Sequence, residues 1–331
     1  MTQTLSRFLL LVSVVAVSAY NVSNEKSMMF KKAIATSLKN PPARPSQSLV
    51  TGPVPQYSRA VAPRAATDVL AGPPNYWFHP KIHTFGNTGL LGGLHAAMAP
   101  LVTMLIDNAA YDGENVRDKI ARHLRSIVGK EGANVVDLCC GVGISTRALR
   151  KAFSDANTII GVDTSKEMIA MAEVLSTDNL VSKAFSSHDP NLVGACDASY
   201  VIGNAEQTDL PDASFDLVTI MYAFHEAPYL GRCRMLREAQ RLLAPGGVLA
   251  VIDISPTYQP SPTMLAGEPY VLEYKKNIHN QMMKVHGFES AKYSEVVNGH
   301  VGKWILTRKM SLISTPIMNR SAASSSFLRN P

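Results

Sequence analysis

The sequence is short of the features that mark several protein classes. Its 331 residues include four cysteines. Cys139 and Cys140 are adjacent while Cys196 and Cys233 stand apart, so neither a disulfide framework nor a metal-ligand spacing can be drawn. The thiols read as reduced, and no metal site is expected. Gly-x-x-x-x-Gly-Lys-Ser/Thr is absent, which argues against a nucleotide triphosphatase. There is no nucleophile elbow and no internal repeat. Acidic residues are nearly missing from residues 1–66, where Glu25 stands alone against eight lysines and arginines. That segment carries +7 against a net charge of +6, which leaves −1 on the remainder. The basic balance therefore belongs to the N-terminal segment and gives no argument for a nucleic-acid partner.

What is present divides the chain. At 46% hydrophobic it can build one large domain with a sizeable core. Arg7 precedes the apolar run Phe8–Val17, which is too short to span a membrane. Val17-Ser18-Ala19 follows as a small-residue cleavage pattern, so residues 1–19 read as a signal-peptide-like segment, leaving no transmembrane span in the mature protein. Residues 20–66, rich in Ser, Pro and basic side chains, read as a transit-like segment. Together they resemble the bipartite plastid leaders of algae with secondary plastids, whose junction is Ala-x-Ala-Phe where this chain has Val-Ser-Ala-Tyr. The resemblance implies a plastid protein. Secretion is the rival: the glycosylation sequon at Asn21 suits it and the free cysteines do not. Residues 310–331 are Ser-rich and read as a disordered tail.

The centre of the chain carries the chemistry. An apolar run from Asn134 to Asp137 reads as a buried parallel strand. It turns through Cys139, Gly141 and Gly143 into a helix over Ile144–Phe153. A strand, a small-residue turn and a helix start make a ligand site, because the backbone can approach closely and the first amides point outward. Thr158–Asp163 is a second strand. It ends in a carboxylate roughly 20 residues past the turn, where it can accept both hydroxyl protons of a ribose. A nicotinamide dehydrogenase would want Gly-x-Gly-x-x-Gly, but Thr146 stands where its last glycine would fall.

The order Asp-Leu-Cys-Cys-Gly-Val-Gly, Gly-Val-Asp-Thr-Ser-Lys-Glu-Met, Gly-Asn-Ala-Glu with Leu-Pro and Ser-Phe-Asp, then Leu-Ala-Pro-Gly-Gly resembles the class I S-adenosylmethionine (SAM)-dependent methyltransferases. Within them it is most similar to the small-molecule branch that includes the ubiquinone and menaquinone enzymes, over about residues 115–308. The resemblance implies an α/β, Rossmann-like fold: a mostly parallel seven-stranded sheet with an antiparallel last strand and helices on both faces. It implies a methyltransferase domain at 131–309 under an N-terminal helical cap at 67–130. It implies SAM as co-substrate and a small organic molecule as acceptor. By the same resemblance Asp137, Cys139, Gly141 and Gly143 form the cofactor turn, and Asp163 with Thr164 holds the ribose. Met168 packs on adenine, Asn204 and Ala205 read its edge, and Met221 closes the site at the end of the fourth strand. Cys139 departs from the glycine usual there.

Further elements follow from pattern. Helices are expected over Leu90–Tyr111, kinked at Pro100, and over Val116–Val128, apolar at Val116, Ile120, Leu124 and Val128. A helix is expected over Ser165–Leu175 and a polar insertion from Ser176 to Asp197. Strands are expected over Ser199–Gly203, Ser214–Phe224 and Val248–Ile254. Helices follow over Arg232–Leu243, stopped by Ala244-Pro-Gly-Gly, and over Glu268–Val285, after a loop from Pro256 to Met264. A hairpin turning at Asn298-Gly299 completes the chain. Trp77, His79, His83 and His95 are candidate pocket residues, with ordinary packing as the alternative for each histidine.

The acceptor stays open. An oxygen or quinol-carbon nucleophile carries a proton, and His225, with Glu226 second, is the candidate base at the end of the fourth strand. A thioether needs no base, and its sulfonium product can be stabilised by aromatic faces. Tyr222, Tyr270 and Tyr274 are candidates, the last two sharing a helix face four residues apart. The leader tips the reading toward S-methylation of 4-methylthio-2-hydroxybutyrate, an algal step toward dimethylsulfoniopropionate. C- or O-methylation of a quinol or phenol, and a non-catalytic SAM-binding accessory role, are the alternatives.

Overall fold

A computed structural model describes residues 72–73, 75–78, 86–111, 114–176, 198–289 and 291–310. The signal-like and transit-like segments, His79, His83, the expected insertion with Cys196, and residues 311–331 of the tail lie outside the described residues.

Seven strands build the sheet: β1 (Asn134–Leu138), β2 (Thr158–Asp163), β3 (Ala198–Ile202), β4 (Phe215–Met221), β5 (Leu243–Ile254), β6 (Lys292–Val297) and β7 (Val301–Thr307). Their order across the sheet is β3-β2-β1-β4-β5-β7-β6. Pairings from β3 across to β5 are parallel, and β7 runs antiparallel to both β5 and β6. The central strands are apolar throughout because both faces of a parallel sheet are covered. Val135, Val136, Leu217 and Val218 are all fully buried.

The helices are α1 (Gly89–Ala110), α2 (Val116–Val128), α3 (Ile144–Ala152), α4 (Lys166–Ser176), α5 (Tyr229–Leu242), α6 (Pro262–Gly267) and α7 (Val271–Met283). On one face Ile120 and Leu124 of α2 pack with Leu149 of α3 against Val135 and Leu217. On the other, Leu236 and Ala239 of α5 and Ile278 of α7 pack against Val136 and Val218. The apolar stripe expected on α2 is the buried one, and its ends are fixed locally. The Asn115 side chain accepts from the Asp118 amide, and Gly129 closes the helix at φ 60°. α1 packs on α4 through a smaller cluster of Ala96, Met168, Met171 and Leu175.

Three elements differ from the pattern reading. β5 begins at Leu243 and runs through Pro245-Gly-Gly, which the sequence presents as a stop. Pairing jumps from Phe215↔Leu243 to Leu217↔Val248, so the extra residues form an irregularity inside the strand rather than a loop before it. β4 ends at Met221, because Tyr222 takes φ 59° and the chain turns into a 3₁₀ segment, Phe224–Glu226. Within the expected loop, Ser261 caps α6 by accepting from the Met264 amide, with Pro262 opening the helix.

Candidate active site

β1 lies between β2 and β4, the point where the strand order reverses, so the crevice past its C-terminal end is where an open α/β sheet takes a ligand. A cavity lies there. Cys139 and Gly141 line it from the turn after β1, Asp163 and Thr164 from the end of β2, and Asn204 and Ala205 from beyond β3. Met168 closes it from α4, and Met221, Tyr222 and Glu226 from the end of β4. Asn87, His95 and Ala99 roof it from the start of α1, with Tyr76 and Trp77 beside them. The roof is tied to the floor. The Gly89 amide donates to Glu167 Oε1 at 2.8 Å, and Ser165 Oγ donates to the Asn87 carbonyl at 2.5 Å.

The turn after β1 is left-handed at three residues: Cys139 (φ 58°), Gly141 (φ 54°) and Gly143 (φ 73°). A Cβ on Gly141 would meet nothing within 4 Å, so its backbone faces open space. A Cβ on Gly143 would sit 2.6 Å from the Tyr200 hydroxyl oxygen, so Gly143 serves packing and is not on the lining. Cys139 occupies a conformation that costs an L-residue about 1–2 kcal/mol. Cys139→Gly is therefore expected to hold or raise stability by up to about 1 kcal/mol, read as a small rise in Tm. A drop of several degrees would show that the thiol's packing outweighs the strain.

Asp137, expected at the ligand, is instead beneath it. It is fully buried and absent from the lining. Its Oδ2 accepts from Ser145 Oγ and Thr146 Oγ1, and its Oδ1 from Thr219 Oγ1, each at 2.7 Å. Burial pushes its pKa up, and the three hydroxyl donors work against that. The residue locks β1 to β4 and to the first turn of α3.

Asp163 faces the cavity with its carboxylate already oriented. Oδ2 accepts from the Gly141 amide and Oδ1 from the Ser165 amide, both at 2.9 Å. A carboxylate oxygen can accept more than one hydrogen bond, so the same group has the chemistry to take a ribose hydroxyl as well. Asn204 Oδ1 accepts from the Glu206 amide at 2.9 Å, an Asx turn, while the residue lines the cavity.

The acceptor end corrects the sequence reading most. His225 is buried and is not on the lining. Its Nδ1 lies 2.6 Å from Asp253 Oδ1, and its Nε2 lies 3.7 Å from Glu226 Oε1. Burial alone would lower its pKa, but Asp253, then Glu226 and Glu268, outweigh that and push it up to about 9. The direction of that shift favours the imidazolium, and at this end of the cavity Glu226, not His225, is on the lining. His225, Glu226 and Glu268 bring potential metal-ligating atoms within 4.8 Å of one another.

A folded-state pKa near 9, above the ordinary 6.5, stabilises the fold by about 3 kcal/mol. That contribution is complete below pH 6.5 and is lost as the pH rises through 9. Thermal melts between pH 6.5 and 9.5 should show Tm falling, with a smaller fall in His225→Gln.

Tyr270 and Tyr274 do share a face, but it is the core face. Tyr274 is fully buried and its hydroxyl donates to the Ile254 carbonyl at 2.8 Å. Tyr270 packs edge-on to Tyr76, with ring centroids 6.1 Å apart. Neither lines the cavity, so they cannot cage a cation there. Tyr222 does line it, and so do Trp77 and His95. Several lining residues escaped the sequence reading, among them Asn87, Tyr76, within the aromatic run, and Arg117, the second residue of an otherwise ordinary amphipathic helix.

The chain can now be set beside known proteins. A family model described as "Methyltransferase domain" matches residues 136–251. The ubiquinone/menaquinone biosynthesis C-methyltransferase of Hydrogenovibrio crunogenus is 30% identical over 193 residues, covering 57% of this chain and 68% of that protein. The chain belongs to the class I SAM-dependent methyltransferases. A 2-phytyl-1,4-naphtoquinone methyltransferase of Synechococcus elongatus is 27% identical over 168 residues, 51% of this chain and 65% of that one. A demethylmenaquinone methyltransferase of Bacillus subtilis is 32% identical over 140 residues, 42% of this chain and 52% of that one. The chain spans about half to two thirds of the length of these curated relatives.

The cavity of this methyltransferase fits SAM. Asp163, Asn204, Ala205, Met168 and Gly141, which the resemblance assigns to the cofactor, all line it, and the backbone at Gly141 faces open space. Asp163→Ala should weaken SAM by about 30- to 1,000-fold, since two charge-assisted hydrogen bonds go with the carboxylate. Calorimetry giving unchanged affinity would remove Asp163 from the ribose.

Proposed function

We propose that this chain transfers the sulfonium methyl of SAM to a ring carbon of a small quinol-type acceptor. Glu226 carries the reading: it is a carboxylate on the cavity lining at the end of β4, the end that faces the transferred methyl. The printed activities of the relatives, on a phytylated naphthoquinone and on ubiquinone and menaquinone precursors, lend it support. The displacement is in-line. Glu226 takes the hydroxyl proton as the ring becomes the nucleophile, the acceptor carbon bonds to the methyl, and the S–CH₃ electron pair returns to sulfur as S-adenosylhomocysteine. The methylated carbon then loses its own hydrogen as a proton while the carbonyl oxygen regains one, restoring the aromatic quinol. The His225 ring lies behind Glu226, its Nε2 3.7 Å from Glu226 Oε1.

A second reading, S-methylation of a thioether carboxylate such as 4-methylthio-2-hydroxybutyrate, draws on one observation. The cavity is lined by Tyr76, Trp77 and Tyr222, aromatic faces suited to a sulfonium product. The relatives lend it nothing. Incubating the protein with methyl-labelled SAM and either a demethylated menaquinol analogue or the thioether acid separates the two. Label in the quinol fraction supports the first; label in the thioether alone sinks it.

Residues 1–66 on this reading carry the enzyme to a plastid. A fluorescent fusion of that segment held in the cytosol of an algal cell would end that proposal.

A further inference from the structure

The first two residues of α2 turn inward from an exposed cap. Val116 is fully buried, and Arg117 follows with its side chain 15% exposed. Its guanidinium lies over the Tyr222 ring, 4.4 Å from the centroid. The carboxylate facing it, Asp107 Oδ1, is 3.8 Å away, beyond hydrogen-bond distance, and burial holds the pKa of that acid up. Among the described residues no hydrogen bond reaches any of its five N–H donors. Beside it the Tyr222 hydroxyl is buried and without a hydrogen-bond partner. The chain holds that ring at φ 59°, a conformation costly to a bulky residue. Both residues line the cofactor cavity.

The guanidinium is half-buried with only a long ion pair to Asp107, and the hydroxyl beside it is buried without a partner, an arrangement that an anionic group would complete. The guanidinium is a planar fork that matches a carboxylate bidentately, and the hydroxyl supplies a third donor at its flank. We propose that Arg117 and Tyr222 form a carboxylate site within the cavity. It rests on the reading of the cavity as a SAM site. Two molecules could bring the carboxylate: the methionine end of the co-substrate, or an acidic acceptor.

Calorimetry on the full chain separates the sources. S-adenosylhomocysteine carries the carboxylate, and 5′-methylthioadenosine is the matching thioether without the amino acid end. The wild type should prefer the former. Arg117→Gln should erase about 10- to 100-fold of that preference while leaving methylthioadenosine unchanged, Arg117→Lys should recover part, and Tyr222→Phe should lose several-fold. That pattern assigns the site to the co-substrate. If S-adenosylhomocysteine binds all variants equally but propionate, added to the nucleoside-bound protein, binds the wild type and not Arg117→Gln, the acceptor brings the carboxylate. Equal losses for both nucleosides, or no change for any probe, overturn the site. A wild type that binds neither nucleoside overturns the SAM reading and the site with it.

Discussion

Glu226→Gln should lower kcat by about 10²–10⁴-fold on a quinol acceptor while leaving SAM affinity within a few-fold. The amide keeps the shape of the carboxylate but cannot take a proton. It also removes a negative charge from beside the His225 imidazolium, leaving Asp253 and Glu268 to hold that proton. Single-turnover kinetics with labelled SAM give the rate, and calorimetry gives the affinity. A variant that turns over a quinol at the wild-type rate would show that the proton leaves by another route. On a thioether acceptor, which loses no proton, the same substitution should have a much smaller effect on rate, so this one variant also discriminates the two chemistries.

Arg232→Ala should destabilise the protein by about 3–5 kcal/mol, the cost of leaving a buried charge pair broken. Arg232 is fully buried on α5. Its Nη2 donates to both Glu273 oxygens at 2.9 and 2.8 Å, its Nε to Gln281 Oε1 at 2.8 Å, and its Nη1 to the Ala227 carbonyl at 2.6 Å. Without it, a half-buried carboxylate, a buried amide oxygen and a backbone carbonyl lose their donor together. Arg232→Lys should recover only part, since an ammonium cannot reproduce the planar fork. Denaturant melts measure the loss; a change below about 1 kcal/mol would mean that water replaces these contacts. The effect should also reach the rate. The same arginine holds one end of the Phe224–Glu226 turn, while Asp253 Oδ2 holds the other by accepting from the Phe224 and His225 amides at 2.7 and 3.1 Å.

The parallel core was readable from the chain because its signals are local. β2 and α2 have the bounds that their apolar runs and caps give them, and the carboxylate of Asp163 sits where its spacing from the glycine turn puts it. The catalytic end was less readable because its determinants are far apart in sequence. The protonation of His225 is set by Asp253, 28 residues on and on another strand. Tyr270 and Tyr274 have the helical spacing expected of them, but spacing gives a shared face and not the direction it points. Arg117 looks like any arginine on an amphipathic helix, and only the packing of α2 against β4 turns it inward. The Pro-Gly-Gly run after α5 reads as a stop because its residues are turn formers, yet the ladder between β4 and β5 continues around it.

The clamp on Asp137 bears on which cofactors the crevice can accept. A dinucleotide fold leaves the start of its first helix free, so that the amides there can meet a diphosphate. Here Ser145 and Thr146, the second and third residues of that helix, point their hydroxyls down into an acidic group of the protein's own. The helix start thus has an internal counter-group, placed under the floor where an incoming diphosphate would feel it through a few ångströms of backbone. A ligand that arrives with a positive sulfur meets the opposite situation. What discourages a diphosphate here is then charge and not bulk: Thr146 is fully buried and off the cavity lining, so trimming it to glycine would take a donor from Asp137 without opening the crevice.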